Sequence, residues 1–140
     1  MSISPVAARE ILQNSEVLFS ADAVQVALHQ VAADINARLS SQHPLVLAVM
    51  GGAVVFAGQL LPLLNFPLDF DHVQVSRYGD ARHGGAMKWK VEPGENVRGR
   101  VVLLLDDILD EGHTLAALHE RVMALGATRC MSAVFADKQH

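Results

Sequence analysis

Two short runs, Leu45–Val49 (LVLAV) and Val101–Leu105 (VVLLL), are apolar at every position. A strand with one face in water alternates apolar and polar residues, so an unbroken apolar run must be covered on both faces. Such strands belong to parallel sheets, whose members need crossover connections, usually helices, to bring the chain back. Each run leads through a turn into a helical stretch. Met50-Gly51-Gly52 precedes Ala53–Leu64, a helix of small and apolar residues. The segment from Asp106 precedes Thr114–Leu125, a helix that stops at Gly126. Together they predict an α/β fold: a mainly parallel, twisted sheet with helices on both faces.

The rest of the chain fits that frame. In residues 22–39, Val24, Leu28, Val31, Ile35 and Leu39 form one apolar stripe, with Ser20 or Asp22 as the cap and Pro44 beyond the end. Asp69–Tyr78 and Ala86–Val91 alternate as strands, the second with Met87, Trp89 and Val91 on one face. The Gly-, Asp- and Arg-rich segment Arg77–Gly85 joins them as a mobile loop, giving a flexible antiparallel hairpin. Glu92–Glu95 reads as a turn and Arg129–Phe135 as a last strand. A chain of 140 residues is expected to form one domain, residues 1–140.

Composition narrows the function classes. With 51% apolar and 19% charged residues the chain is not a disordered one. A net charge of -4 argues against a broad basic face for nucleic acid. The single cysteine, Cys130, excludes an internal disulfide and fits a reducing, cytoplasmic setting; it reads as core. The start lacks the basic and apolar regions of a secretory signal. Pro44–Leu64 carries no charge and is long enough to span a bilayer. Its glycines and prolines, and the lack of flanking Lys or Arg, fit a buried strand, turn and helix better than a membrane span.

Ligands of open parallel sheets bind at the carboxyl ends of the strands, where both turns fall. There the second apolar run meets Asp106, Asp107 and Asp110. Ionised carboxylates only accept hydrogen bonds, so an adjacent pair suits a ligand offering two donors, such as neighbouring ribose hydroxyls. Asp110 suits a general base if its pKa is raised. Glu111-Gly112-His113-Thr114 offers amides at a helix start and a hydroxyl, a phosphate cradle. Phosphate and acids repel each other unless a divalent cation lies between them, and Mg²⁺ takes oxygen ligands from few carboxylates, phosphates and water. The pattern therefore suggests a sugar phosphate carrying Mg²⁺. A plainer alternative is that the acids cap a helix and solvate a loop. Neither glycine-rich nucleotide fingerprint is present, Ile108 or Leu109 breaks an EF-hand register, and the seven histidines show no metal-ligand spacing.

VVLLLDDILDEGHTL resembles the phosphoribosyl diphosphate (PRPP) motif of the type I phosphoribosyltransferases: an apolar strand, two acids, two apolar residues, Asp, then Gly and Thr at alternate positions. LVLAVMGGAVVFAGQLLPLL is similar to the strand, pyrophosphate loop and helix of the hypoxanthine-guanine branch. SRYGDARHGGAMKWKV is similar to its flexible catalytic loop, and SAVFADK to the strand ending in the purine-contacting lysine. The resemblance runs in order from Leu45 to Lys138 and is nearest to the bacterial enzymes.

The resemblance implies a purine-salvage enzyme that transfers the phosphoribosyl group from Mg-PRPP to hypoxanthine or guanine, giving IMP or GMP and pyrophosphate. Asp106 and Asp107 would hold the ribose hydroxyls, directly or through Mg²⁺. Asp110 would exchange a proton near purine N7, and Tyr78 would belong to the closing loop. Glu111, Gly112, His113 and Thr114 would cradle the 5′-phosphate. Met50 and Gly51 would line the pyrophosphate site; Arg77, where many relatives have serine, either binds pyrophosphate or is a solvated loop arginine. Lys138 would contact the six-position oxygen, with Ile108 beside the purine. The partners implied are these small molecules and like subunits in a homodimer or homotetramer, with Ala53–Leu64 either a contact helix or core; no nucleic acid or membrane is expected. Met50 stands where many relatives have lysine, and Arg77-Tyr78 where many have Ser-Tyr. The C-terminal hood segment of the family has no counterpart after Lys138, which implies weak purine affinity and turnover. The alternatives are a PRPP-binding regulatory module and a catalytically impaired fragment.

Overall fold

The computed structural model describes residues 2–78, 86–110 and 112–138. Five strands form one sheet: β1 (Leu45–Met50), β2 (Asp69–Tyr78), β3 (Ala86–Val91), β4 (Val101–Leu109) and β5 (Arg129–Asp137). Their spatial order is β3-β2-β1-β4-β5. All neighbours are parallel except β2 and β3, which form the antiparallel hairpin. Among the described residues four α-helices accompany them: α1 (Pro5–Gln13), α2 (Ala21–Leu39), α3 (Val54–Leu60) and α4 (His113–Ala124).

Handedness distributes the helices. The chain crosses from β1 to β2 through α3, and in the opposite direction from β4 to β5 through α4. Right-handed crossovers that run in opposite directions place their helices on opposite faces. Two apolar clusters result. Val46, Ala48, Leu103 and Leu105 pack with α2 and α3 through Leu28, Leu39, Phe56 and Leu60. Leu45, Leu47, Val102 and Leu104 pack with α4 through Leu118 and Val122. Alternate residues of each central strand thus serve alternate clusters, which is why these strands had to be apolar throughout. Trp89 and Cys130 lie against the α4 cluster, partly buried, and burial pushes the Cys130 thiol up to about 11. Asn36 of α2 ties down the chain after α3, donating to the Leu63 carbonyl (3.0 Å) and accepting from the Asn65 amide (3.0 Å).

Several boundaries differ from the sequence expectation. The stretch Ala53–Leu64 divides into α3 and a 3-10 turn, Leu61–Leu63, because Pro62 has no N–H to continue the helical ladder. Ser20, rather than Asp22, caps α2 by accepting from the Ala23 amide at 3.1 Å. β5 runs two residues beyond Phe135, to Asp137. Helix α1 is unanticipated. Ser4 caps it (3.1 Å from the Ala7 amide) and Pro5 opens it, but none of its residues is buried. Among the described residues no helix is long and apolar enough to cross a membrane.

Gly58 lies on the exposed side of α3, and a Cβ built on it meets nothing within 4 Å. Gly58→Ala is expected to stabilise the protein by about 0.4–1 kcal/mol, by removing backbone freedom from the unfolded chain. A rise in the urea midpoint with unchanged slope is the readout.

Candidate functional site

From β1 the chain turns one way to β2, and β4 lies on the other side of β1. The carboxyl ends of β1 and β4 therefore flank a topological switch point, where the two connections leave a crevice above the sheet. The Met50–Gly52 turn and the acid motif face each other there.

On the β1 side, Met50 is the last strand residue, and its peptide bond to Gly51 is cis. The Ala53 amide donates to the Val49 carbonyl (3.0 Å) and the Val54 amide to the Gly51 carbonyl (3.1 Å), closing a tight turn into α3.

On the β4 side, the strand does not stop at Leu105, as its sequence suggests, but continues to Leu109. Its partner β5 runs alongside, pairing Asp106 with Val134, Ile108 with Ala136 and Leu109 with Asp137. Backbone pairing extends a strand through polar residues whenever a neighbour supplies the bonds. Strand alternation directs Asp106 toward the α4 face and Asp107 toward the α3 face. The Asp107 amide donates to Asp106 Oδ1 (2.9 Å), and the Ile108 amide to Asp107 Oδ1 (2.9 Å). Asp107 lies directly against Gly52: a Cβ there would sit 2.9 Å from its Oδ1.

Beyond β4 the chain needs glycine. Gly112 has φ +83°, a left-handed conformation that side-chain-bearing residues rarely adopt, and its carbonyl accepts from the Ala116 amide at 2.9 Å. α4 begins at His113, one residue earlier than expected. The positive end of the helix dipole lies at its first turn. At the end of β5 the Lys138 amide donates to the Leu109 carbonyl (2.8 Å), and Lys138 Nζ stands 3.8 Å from Asp110 Oδ1. Both side chains are more than half exposed, at 57% and 54%, so the pair contributes little to stability. Ile108 is exposed.

The carboxyl edge thus brings together Met50, Gly51, Asp106, Asp107, Ile108, Asp110, Gly112, His113, Thr114 and Lys138. Glu111 and the loop residues 79–85 lie outside the described residues, as do the side chains of Arg77 and Tyr78, the last residues of β2. The residue missed in sequence is Gly52. Its only signal was the doubled glycine, which permits a close approach without saying of what.

Asp106 is half-buried, and its carboxyl is pushed up to about 6, first by burial and then by the side chain and charge of Asp107. The folded state therefore holds this proton more tightly than the unfolded chain, whose value is about 3.8. The contribution of the protonated group is fully present below 3.8 and is lost as the pH rises through about 6. Asp106→Asn should escape that loss. Its urea midpoint relative to the wild type should climb between about pH 4 and 6 and level off above. A difference independent of pH would show that Asp106 ionises without strain.

Among the described residues no group of three or more His, Cys, Asp or Glu side chains converges as a metal site. Two neighbouring carboxylates, one of them reluctant to ionise, still suit a hard cation that brings phosphate and water oxygens with it.

Comparison with known proteins bears on the family and the fold. Residues 16–140 match the family model of the phosphoribosyl transferase domain. The chain is 34% identical over 104 residues to the bifunctional protein TilS/HprT of Listeria innocua, covering 74% of this chain and 16% of that protein. It is 31% identical over 102 residues to the hypoxanthine-guanine-xanthine phosphoribosyltransferase of Tritrichomonas foetus, covering 73% of this chain and 56% of that enzyme, so it spans about half the length of that relative. A hypoxanthine-guanine phosphoribosyltransferase of Bacillus anthracis shares the fold with a TM-score of 0.82 at 24% identity, over 89% of this chain and 75% of that one. With its acid motif at the switch point of a parallel sheet and a family match over most of its length, the chain belongs to the phosphoribosyl transferase domain family.

Proposed function

We propose that this chain is a purine-salvage phosphoribosyltransferase that moves the 5-phosphoribosyl group of Mg-PRPP to hypoxanthine or guanine and releases pyrophosphate. The observation that carries the reading is the meeting of the Met50–Gly52 turn, the Asp106–Thr114 motif and Lys138 around one crevice. Asp106 and Asp107 accept from the ribose hydroxyls. Their negative floor also favours the positive charge that develops on the sugar as pyrophosphate departs. The residues from Glu111 to Thr114 hold the 5′-phosphate at the start of α4. Met50 and Gly51, with Arg77 at the end of β2, face the pyrophosphate. Lys138 donates to the six-position oxygen, which selects 6-oxopurines over adenine, and Ile108 gives the base an apolar contact. Asp110, next to Lys138, takes or returns the purine proton near N7.

Mg²⁺, bound with the substrate and held by Asp106 and Asp107, supplies charge neutralisation of the leaving group. Tyr78 and the loop after it exclude water from the activated sugar. We read the working form as a cytoplasmic homo-oligomer, homodimeric or homotetrameric; the exposed Val54 and Val55 on the outer side of α3 support such a contact. The test is nucleotide formation from Mg-PRPP with hypoxanthine, guanine, xanthine and adenine, beside thermal unfolding with and without Mg-PRPP. Turnover confined to 6-oxopurines supports the reading. Stabilisation by Mg-PRPP without turnover would instead identify a PRPP-binding module, because a ligand of the native state alone must raise apparent stability. Neither effect would overturn it.

A further inference from the structure

Gly52 is the place where the two halves of the crevice touch. A Cβ built on it would lie 2.9 Å from Asp107 Oδ1, 3.0 Å from Cγ and 3.0 Å from Oδ2. Three nearly equal distances mean that the carboxyl group stands face-on over the glycine. It cannot easily step aside, because Oδ1 also accepts from the Ile108 amide at 2.9 Å and an aspartate has only two side-chain torsions. The neighbouring Gly51 differs: a Cβ there would meet nothing within 4 Å. Neither residue has a positive φ, so backbone conformation does not explain the glycine at position 52.

Resting on the functional reading above, we infer that Gly52 is a positioning residue: its missing side chain seats Asp107 against the pyrophosphate turn and so fixes the distance between the ribose and pyrophosphate subsites. PRPP must engage both subsites at once. Its affinity therefore depends on their spacing, and the Gly52–Asp107 contact sets it. A methyl group at position 52 pushes the carboxylate away, and the two loops no longer present their groups in register.

A double-mutant cycle on Mg-PRPP affinity tests this, with Gly58→Ala as control. Gly52→Ala is expected to weaken Mg-PRPP binding about tenfold, a coupling within the range for groups in contact. In an Asp107→Ala background, where nothing remains to collide with, the same substitution should change affinity by less than about twofold. Gly58→Ala should leave affinity unchanged. Equal losses in both backgrounds would overturn the inference, because a general disturbance of the turn acts whether or not Asp107 is present. If Gly52→Ala does not fold, the double variant decides: folding restored by Asp107→Ala supports the contact, and folding not restored overturns it. A wild-type chain that fails to bind Mg-PRPP sinks the functional reading and this inference together, whereas wild-type binding with an additive cycle sinks the inference alone.

Discussion

Asp110→Asn is expected to lower nucleotide formation from Mg-PRPP and a 6-oxopurine by about 10²–10⁴-fold, the usual contribution of a positioned acid or base. Asparagine keeps the size and the acceptor oxygen but can neither take nor return a proton. Asp110 lies one residue past β4, and the Lys138 ammonium stands 3.8 Å from it. That neighbour makes the variant informative. A general effect on charge would alter PRPP and purine binding together, whereas loss of proton transfer leaves Mg-PRPP affinity intact and reduces turnover. The measurement is therefore a pair: steady-state rate and Mg-PRPP affinity. Undiminished turnover would remove Asp110 from the chemistry.

Leu105→Ala is expected to cost about 2.7–5 kcal/mol of folding free energy. Leu105 is 0% exposed and sits in the α2/α3 cluster, one residue before the acids. Truncation loses the transfer energy of three carbon atoms and leaves a cavity that a close-packed sheet and helix layer fill only in part. Against a total stability of about 5–15 kcal/mol, the loss brings the protein close to its unfolding threshold. Urea denaturation should show the midpoint fall with the slope preserved. A loss under about 1 kcal/mol would mean that the layer collapses freely around the gap, unlike other buried leucines.

The two apolar strands were the most legible part of the sequence, because burial on both faces leaves no polar residue to blur them. Their parallel pairing followed from the helices between them, whereas their order in the sheet did not, because a helical crossover does not say on which side the next strand lands. What the sequence hid depends on contacts made elsewhere. β4 continues through Asp106–Leu109 because β5 supplies its hydrogen bonds, and local pattern carries no sign of a partner. α1 stands on its Ser4 cap and Pro5, with no buried stripe to announce it. At the site, the acids and Gly112–Thr114 were legible as a cluster at the carboxyl edge of the sheet, because both apolar runs end there. The raised pKa of Asp106 and the seat that Gly52 makes for Asp107 were not, since both arise where separate segments meet.

The pairing of β1 with β4 joins Leu45 to Val102, a separation of 102 − 45 = 57 residues, whereas β1 pairs with β2 and β4 with β5 over much shorter loops. Closing the longer loop costs more chain entropy before any contact repays it. The crevice exists only once those two strands lie side by side. A newly synthesised chain is therefore expected to form its local hairpin and crossover units before the β1–β4 seam, so the crevice assembles only with the pairing of the most distant strands.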